Sequence, residues 1–471
     1  EIDNQKNLLA NGLFNAGDTN QVVRTQTHKP FHWEIGGDYQ RRFEKIGLLK
    51  TLFVFNYGRH DFVTNFTGAL NAGTAKNTSE NTAKRTHGEK ILRSSLTNIF
   101  AKVHTLEVGA ELAINDTGVS NSTKNASGTV IAASLNDIDV QEKRLEAFIS
   151  HNFAIASNLS LQSSLNFETS KITQKDNLKV NPDLKRNFSY FKPRINLRYD
   201  VNTQNQIRVT AEQKNSQLDF GAFGSSFDAE DGETDGGNSA LRPETRFEFS
   251  IAYENRFIND QGSISVKGFY NKIRDHIAKI GIYSGTGNAP SNINQIATKS
   301  VPGNIGNAKE YGVELNSNWR LAAINLPNAI ITGKYIFKET EATDPFLLIT
   351  RPIEYNQKHE WLINFQHDLT AQGTSYGFNI TNKAPRSGIG FRTDVIEKWT
   401  KTIEPKASAY VEQKIFGNMK LRFDIKNIFK AKSGYDLTKY NGNVSLNVIN
   451  YKELRAAANA RMFKLSLQGT F

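Results

Sequence analysis

The chain has 471 residues, and 58 Lys and Arg against 47 Asp and Glu give it a formal net charge of +11. Its mean hydropathy is −0.50. No segment approaches the roughly 20 consecutive apolar residues of a spanning helix, which excludes a helical membrane bundle. Cysteine is absent, which excludes disulfide frameworks, cysteine zinc sites and cysteine nucleophiles. The basic residues are scattered rather than clustered, which argues against nucleic acid and favours contact with anionic lipid or polysaccharide.

Alternation of apolar and polar residues dominates the chain. Strict alternation predicts strands with one apolar and one polar face. Between His32 and Phe471 we count roughly 17 such strands, with one more before them. The clearest segments are residues 191–199, 247–257, 311–319, 419–425 and 463–471.

The connections between these strands alternate between short and long. An antiparallel meander with tight turns at one end and long loops at the other produces this order. We therefore expect the long connections to emerge on one side, opposite the short turns and the C-terminus. The short links are residues 200–205, 259–262, 368–374 and 416–418, and the long polar links are 65–89, 117–137, 219–241, 282–306 and 432–456.

The apolar faces can point either at lipid or into the core of a soluble multi-sandwich surface-binding protein. Many strands run about nine residues or more, the length that crosses a bilayer at a tilt. Aromatic residues such as Tyr199 and Trp319 stand at strand ends, where interfacial belts form. We predict an all-β, antiparallel transmembrane β-barrel over residues 1–471, with long extracellular loops. The residues expected to face lipid are Ile195, Leu197, Ile251, Tyr253, Val313, Leu315, Leu421 and Phe423.

Three motifs, in this order, carry a family resemblance. The segment Asn-Ser-Ala-Leu-Arg-Pro-Glu-Thr at 238–245 resembles the Asn-x-x-Leu-x-Pro-Glu segment of TonB-dependent outer-membrane receptors. Residues 303–315 look like a later strand of that family, and residues 424–430 are similar to its penultimate strand. The chain also ends in an aromatic residue, Phe471, like the signal read by the barrel assembly machinery. The resemblance covers residues 190–471 by motif and the first part by pattern.

The resemblance implies a receptor of the bacterial outer membrane that takes up a scarce nutrient of the siderophore, sugar or peptide class. It implies no enzyme activity and no cofactor. The implied partners are outer-membrane lipid or lipopolysaccharide, a small nutrient ligand, the TonB complex and, as a further candidate, a surface lipoprotein. A passive porin-like channel or structural barrel is the alternative.

The sequence departs from this family at its N-terminal end. Nothing in it reads as the plug domain or the TonB box, and TonB would contact the protein only through such a plug. The visible 17 or 18 strands would be the C-terminal part of a roughly 22-stranded barrel. We therefore expect an N-terminally truncated member. In such a chain the last strand either borders a gap or closes onto an early segment such as residues 33–42.

The acidic loop at residues 219–241 is the candidate ligand site. Its carboxylates and aromatic rings could grip a cationic or sugar-like ligand, although the spacing does not match a calcium-binding EF-hand. A flexible, solvated loop is the plainer interpretation, and we predict no metal there. The candidate residues are Phe220, Phe223, Phe227, Asp228, Glu230 and Asp231.

The histidines do not predict a metal site. His28 and His32 are four residues apart and lack a third ligand nearby, and His359 and His367 are too far apart to share an ion. No Gly-x-Ser-x-Gly elbow or paired carboxylates on a helix are present, so no catalytic residue is predicted. The basic residues Lys192, Arg194, Arg198 and Arg208 are expected to line the lumen.

Overall fold

The computed structural model of the protein consists almost entirely of β-strands. In the part of the chain that it describes, no helix is long and apolar enough to cross a membrane. The described residues are 2–8, 14–70, 74–131, 135–179, 183–228, 233–257, 259, 261–282, 299–345, 347, 349–391, 396–441, 447–458 and 460–469.

Twenty-six strands and two short 3₁₀ helices, Phe220–Phe223 and Ala322–Ile324, are described. The strands are β1 (Ile2–Leu8), β2 (Phe14–Phe43), β3 (Gly47–Leu70), β4 (Thr74–Phe100), β5 (His104–Lys124), β6 (Asn136–Ala156), β7 (Leu159–Asp176), β8 (Leu184–Asp200), β9 (Asn205–Asn215), β10 (Ser226–Asp228), β11 (Glu233–Asp235), β12 (Thr245–Arg256), β13 (Gly262–Arg274), β14 (Ile277–Ile282), β15 (Lys299–Asn304), β16 (Ala308–Leu321), β17 (Leu326–Asp344), β18 (Ile349–Arg351), β19 (Gln357–Leu369), β20 (Thr374–Phe391), β21 (Ile396–Ile403), β22 (Lys406–Lys414), β23 (Lys420–Lys426), β24 (Lys432–Tyr440), β25 (Ile449–Ala458) and β26 (Met462–Gln468).

Twenty-two of these strands form one antiparallel sheet. Sequential hairpins carry the sheet from β1 to β9, and then through β12, β13, β16, β17 and β19 to β20. From β20 the pairing continues through β21, β24 and β25 back to β1, which closes a ring of hydrogen-bonded strands. A branch of β22, β23 and β26 also leaves β20, toward the end of the wall where the short turns lie.

The closed ring contains 18 strands, as the sequence-based count of 17 or 18 predicts, and β18, β22, β23 and β26 bring the whole sheet to 22. The strands are, however, longer than predicted, because parts of several predicted loops belong to them. The β3–β4 ladder runs from Leu48 opposite Thr97 to Leu70 opposite Thr74, so residues 65–70 and 74–89 form the far end of a long hairpin. Residues 432–456 likewise fall largely within β24 and β25, and residues 117–124 belong to β5. The sequence of residues 65–89 is largely polar, so the alternation signal fades there although the backbone ladder continues.

The predicted facing of the strands is confirmed. Of the eight residues expected to contact lipid, seven are 36–53% exposed on the outer face, and Leu197 is half-buried. Their sequence neighbours point inward: Asn196, for example, is buried and donates a hydrogen bond to Thr210 of the next strand. The apolar residues therefore do not meet in the core of a sandwich, and they form the outer belt of a transmembrane barrel.

The short and long connections lie on opposite rims, as expected. Antiparallel order places the turns at 200–205 and 368–374 on the same rim as the end of β26. The described parts of the connections at 219–241 and 282–306 lie on the other rim. There β10, β11, β15 and β14 form a separate four-stranded sheet. Short turns face the periplasm in barrels of this kind, and long connections face the outside.

The wall has a seam beside the last strand. Among the described strands, β26 pairs with β23 alone, and the part of β2 beyond Val23 pairs with β3 alone. Side chains on both edges are well exposed, including Leu465 at 68% and Ile35 at 62%. The expected gap beside the last strand is therefore present, while the ring closes through β1 nearer the outer rim.

Candidate functional site

The connection between β9 and β12 folds inward over the mouth of the barrel. Asp219 caps the 3₁₀ helix at its start, because its Oδ1 accepts the Gly221 N–H at 2.8 Å. The rings of Phe220 and Phe223 are 6% and 5% exposed and lie edge to face, 5.6 Å apart. They pack in a hydrophobic cluster with Val119, Ile138, Val140, Ile172, Leu218 and Leu241.

This cluster explains why one part of the lumenal face of the wall is apolar. Val119, Ile138 and Ile172 share that face with the charged residues farther down β5, β6 and β7. They are apolar because the inward loop covers them. The loop is therefore a packed element with its own core rather than a flexible, solvated connection.

Those of the six predicted ligand residues that the structure describes lie in different parts of the loop. Phe220 and Phe223 lie in the core of the loop instead of on an open surface. Phe227 and Asp228 belong to β10, opposite Thr234 and Glu233 of β11. Glu230 and Asp231 lie outside the described residues, and their ligand contact stays a prediction.

The Asn-x-x-Leu-x-Pro-Glu segment fastens this loop to the next one. Asn238 Nδ2 donates to the carbonyl of Pro302 at 2.8 Å. Arg242 Nε donates to Asp275 Oδ1 at 3.1 Å, and Asn304 Nδ2 donates to the Arg242 carbonyl at 2.9 Å. Side chains thus tie the segment to both ends of the β14–β15 hairpin, and this gives the motif a structural role in building the mouth.

Glu244, the last residue of that motif, anchors the base of the hairpin. Its Oε1 accepts the backbone N–H of Ile277 at 2.6 Å and lies 2.7 Å from His276 Nδ1. Burial favours the neutral carboxyl, but these hydrogen bonds, the one from His276 above all, hold the pKa of Glu244 below its usual range.

We expect acid to loosen this anchor. A carboxyl whose pKa is lowered by folding contributes stability above its unfolded pKa of about 4.3, and loses it as the pH falls through the folded pKa. Glu244→Gln should weaken loop docking by about 1–3 kcal/mol at pH 7 and reduce its further weakening in acid. Protease susceptibility of the loop at pH 7 and in acid measures this. Glu44→Gln, in an exposed turn on the other rim, should have no effect.

Below the loop, the lumenal wall carries cross-strand ion pairs. Lys192 Nζ bonds Glu146 and, at 2.7 Å, Glu168. Arg194 Nε lies 3.5 Å from Glu212 Oε2. The four basic residues expected in the lumen do lie on this face. Arg198 pairs with Asp200, and Arg208 donates to Gln206. A polar cleft of about 500 Å³ runs along this part of the wall.

A second cavity lies directly beneath the inward loop. Its volume is about 330 Å³. The wall contributes His32, His87 and Glu89, and the loop contributes Gln217 and Asp219. The cavity therefore offers imidazoles and carboxylates to a molecule entering from the outer rim.

Two of these wall residues belong to a group of four histidines on neighbouring strands. His28 and His32 lie on β2, His60 on β3 and His87 on β4, all facing the lumen. His28 Nε2 and His60 Nδ1 are 2.9 Å apart. Ring centres are 5.2 Å apart for His28–His60, 5.5 Å for His60–His87 and 6.2 Å for His32–His87.

Sequence reasoning found only half of this group. His28 and His32 are close in sequence, whereas His60 and His87 join them only through the register of β2, β3 and β4. All four histidines occupy inward-facing positions of alternating segments, and this shared facing was the signal in the sequence that could have linked them. In the described residues no three His, Asp or Glu side chains are already placed to hold a metal ion.

Comparison with known proteins relates the chain to one family of β-barrel receptors. The family model described as TonB dependent receptor-like, beta-barrel matches residues 3–451. No curated protein sequence matches the chain. Among solved structures, the siderophore receptor PiuA from Acinetobacter baumannii superposes with a TM-score of 0.57 at 10% identity, over 98% of this chain and 81% of that one.

Two further structures show the same likeness. The unliganded ferric citrate transporter FecA gives a TM-score of 0.56 at 13% identity, over 98% of this chain. The copper transporter OprC gives 0.55 at 11% identity, over 98% of this chain and 80% of that one. The chain spans 65% of the length of the FecA chain. At identities this low the likeness is one of fold.

Proposed function

The chain belongs to the TonB-dependent receptor-like β-barrel family of the bacterial outer membrane, and on that premise we propose that it captures a scarce nutrient at its outer rim for uptake across that membrane. The nutrient would be of the siderophore, sugar or peptide class. Capture would take place between the inward loop and the lumenal wall.

The observation that carries this proposal is the cavity beneath the loop. A passive pore needs an open path for water, whereas here a loop with its own hydrophobic core lies against the wall at the mouth. The cavity between them is lined by polar side chains from both and by the apolar side chains of Leu218 and Phe220. Polar groups that converge beside apolar surface in a concave site are typical of ligand binding. The loop is fastened from both ends of the β14–β15 hairpin, so this arrangement is pre-organised.

Binding to the purified barrel in detergent tests the proposal. A panel of ferric siderophores, oligosaccharides and peptides is titrated by calorimetry. We expect one class to bind, and Asp219→Ala together with Gln217→Ala to weaken it at least tenfold. Glu44→Gln on the opposite rim should leave binding unchanged. Free conductance in planar bilayers, with no binding by any class, would instead support the porin-like channel.

The side chains on the outer face of the wall support the proposal that the barrel contacts an anionic lipid. Lys90, Lys143 and Lys171 lie in one row across β4, β6 and β7, with Ile114 of β5 between the first two. The next row toward the periplasm contains Leu92, Leu112 and Leu145, which are exposed apolar residues. On the side of the lysines that faces the outer rim lies a groove of about 690 Å³, which is lined by residues that include Trp33, Tyr57 and Lys185. We propose that phosphates of lipopolysaccharide bind at this level.

Charge reversal of this row tests the lipid contact. Each lysine near an anionic membrane surface contributes about 1 kcal/mol, so Lys143→Glu with Lys171→Glu should cost roughly 2 kcal/mol of lipopolysaccharide affinity. Added lipopolysaccharide should raise the thermal midpoint of the wild type more than that of the double variant. The difference should shrink at high salt. Lys45→Glu, in a turn on the periplasmic rim, is the matched control. An equal rise in all three proteins would contradict the proposal.

A further inference from the structure

We propose that the groove on the outer face of β2 to β8 binds the saccharide of lipopolysaccharide, next to the lysines that face its phosphates. The inference rests on the proposed lipid contact and deepens it, because it adds a sugar-binding site to a charge contact. The groove has a volume of about 690 Å³, within the roughly 300–1,000 Å³ of typical ligand pockets.

Two glycines form the floor of this groove. The outer face of a barrel is convex, so a cavity of this size arises there where side chains are missing and their neighbours rise around the gap. Gly88 of β4 lies opposite Asp116 of β5, and Gly118 lies two residues farther along β5. A Cβ atom added at Gly88 would lie near the ring of Tyr57, and one added at Gly118 would lie near the carboxylate of Asp139. Both glycines therefore face outward together with these side chains.

Aromatic rings form the wall of the groove on the side of β2 and β3. Trp33 is 42% exposed and lies opposite Tyr57, and Phe55 is 41% exposed two residues away on β3. The C–H groups of a sugar ring carry a partial positive charge and stack on the electron-rich face of such rings. The carboxylates Asp116 and Asp139 line the same groove, which places it outside the hydrocarbon layer. The rings therefore face a polar ligand instead of acyl chains.

Polar side chains in the groove match the hydroxyl groups of a sugar. Asp116 Oδ1 accepts a hydrogen bond from Gln141 Nε2 at 2.7 Å, and Asp116 Oδ2 lies 4.0 Å from Lys90 Nζ. Lys175 and Lys185 line the side formed by β7 and β8. Hydroxyl groups both donate and accept hydrogen bonds, and the groove supplies carboxylate acceptors together with amide and ammonium donors. A ligand rich in hydroxyl groups satisfies this mixed lining better than a purely anionic group does.

The position of the groove fits the order of groups in lipopolysaccharide, whose saccharide extends outward from the phosphates of its lipid anchor. Gln141 and Thr173 line the groove, and each lies two residues nearer the outer rim than a lysine of the row, Lys143 or Lys171. Two residues of a strand span about 6.8 Å. The lysine row and the groove therefore follow each other in the same order as phosphate and sugar.

Binding of the saccharide without its lipid anchor tests the inference. The probe is the core oligosaccharide released from lipopolysaccharide, and calorimetry and tryptophan fluorescence are measured on the full chain in detergent. We expect saturable binding with a change in fluorescence. Trp33→Ala should lower the affinity at least fivefold and remove the fluorescence change, whereas Trp33→Phe should keep part of the affinity. Trp319→Ala removes a similarly exposed ring beside the short turn at 259–262 and should change neither result.

A substitution at Gly88 tests the floor of the groove independently. The nearest atom to a Cβ added there is the Asn56 carbonyl oxygen at 3.6 Å, so Gly88→Val fits the strand and fills the groove. It should lower saccharide affinity at least tenfold. Gly268→Val is the matched control, because Gly268 lies opposite the outward-facing Ile251 and has open space of the same kind. Heat-modifiable migration in gels verifies that each variant is folded.

Three results would overturn the inference: no saccharide binding by the wild type, full affinity in Trp33→Ala and Gly88→Val, or equal losses in Trp319→Ala and Gly268→Val. Lipid A without core sugars tests the lipid contact separately, through the variant with Lys143→Glu and Lys171→Glu. Saccharide binding without lipid A binding would leave the inference standing and remove the lipid contact. Lipid A binding without saccharide binding would do the reverse.

Discussion

Replacement of Phe223 by alanine is expected to release the inward loop from the barrel wall. The ring is almost fully buried among apolar side chains of the loop and of β5, β6 and β7. Removing a buried phenylalanine ring costs about 3–5 kcal/mol. A docked loop is less stable than the whole barrel, so a loss of this size should undock it while the strands remain folded.

Limited proteolysis and conductance measure this release. Phe223→Ala should be cleaved within residues 216–244 much faster than the wild type, and its bilayer conductance should rise as the mouth opens. Phe416→Ala removes the same ring from an exposed turn on the opposite rim and should change neither quantity. Equal cleavage of both variants would mean that the cluster does not hold the loop.

An arginine at Ile251 should destabilise the barrel in a lipid bilayer. Ile251 is exposed on the outer face of β12, between Val209 of β9 and Gly268 of β13. A charged side chain facing lipid near mid-strand costs about 2–4 kcal/mol, because the guanidinium must be buried in hydrocarbon or pull water into it. The side chain is on the surface, so the loss cannot be attributed to disrupted packing of a protein core.

The neighbouring residue supplies the control. Ser250 precedes Ile251 and borders the lumenal cleft, so Ser250→Arg puts the same charge on the wet side of the same strand. Denaturant unfolding in lipid vesicles should show a lower free energy of unfolding for Ile251→Arg and little change for Ser250→Arg. Similar losses in both variants would contradict the assigned facing of the strands.

The facing of the strands could be predicted because it depends on local information. Each residue of a strand points opposite to its neighbour, so Ile251 and Glu248 reveal their faces without knowledge of any other strand. The count of 17 or 18 strands follows from the same alternation, whereas the positions at which the strands end do not. Residues 65–70 and 74–89 belong to the β3–β4 ladder, but their sequence is largely polar, so it does not distinguish a ladder from a loop.

The mouth of the barrel was harder to predict for a different reason. The sequence predicts Phe220 and Phe223 as ligand contacts and gives no sign that Val119 and Ile138, on distant strands, provide an apolar surface on which these rings pack. The histidine group likewise depends on the register of three strands, which the sequence of any one strand does not specify. Features that depend on one strand alone could be predicted from the sequence, and features that depend on contacts between strands could not.

The seam between β26 and β2 makes the wall mechanically uneven. Backbone N–H and C=O groups along two facing edges have no partner among the described strands, and each such group costs several kcal/mol in hydrocarbon. Elsewhere, separating two strands means breaking a complete ladder, whereas here none has to be broken. The barrel should therefore unzip from this line. The amide protons of β26 should exchange with solvent before those of β12, which has a ladder on both sides.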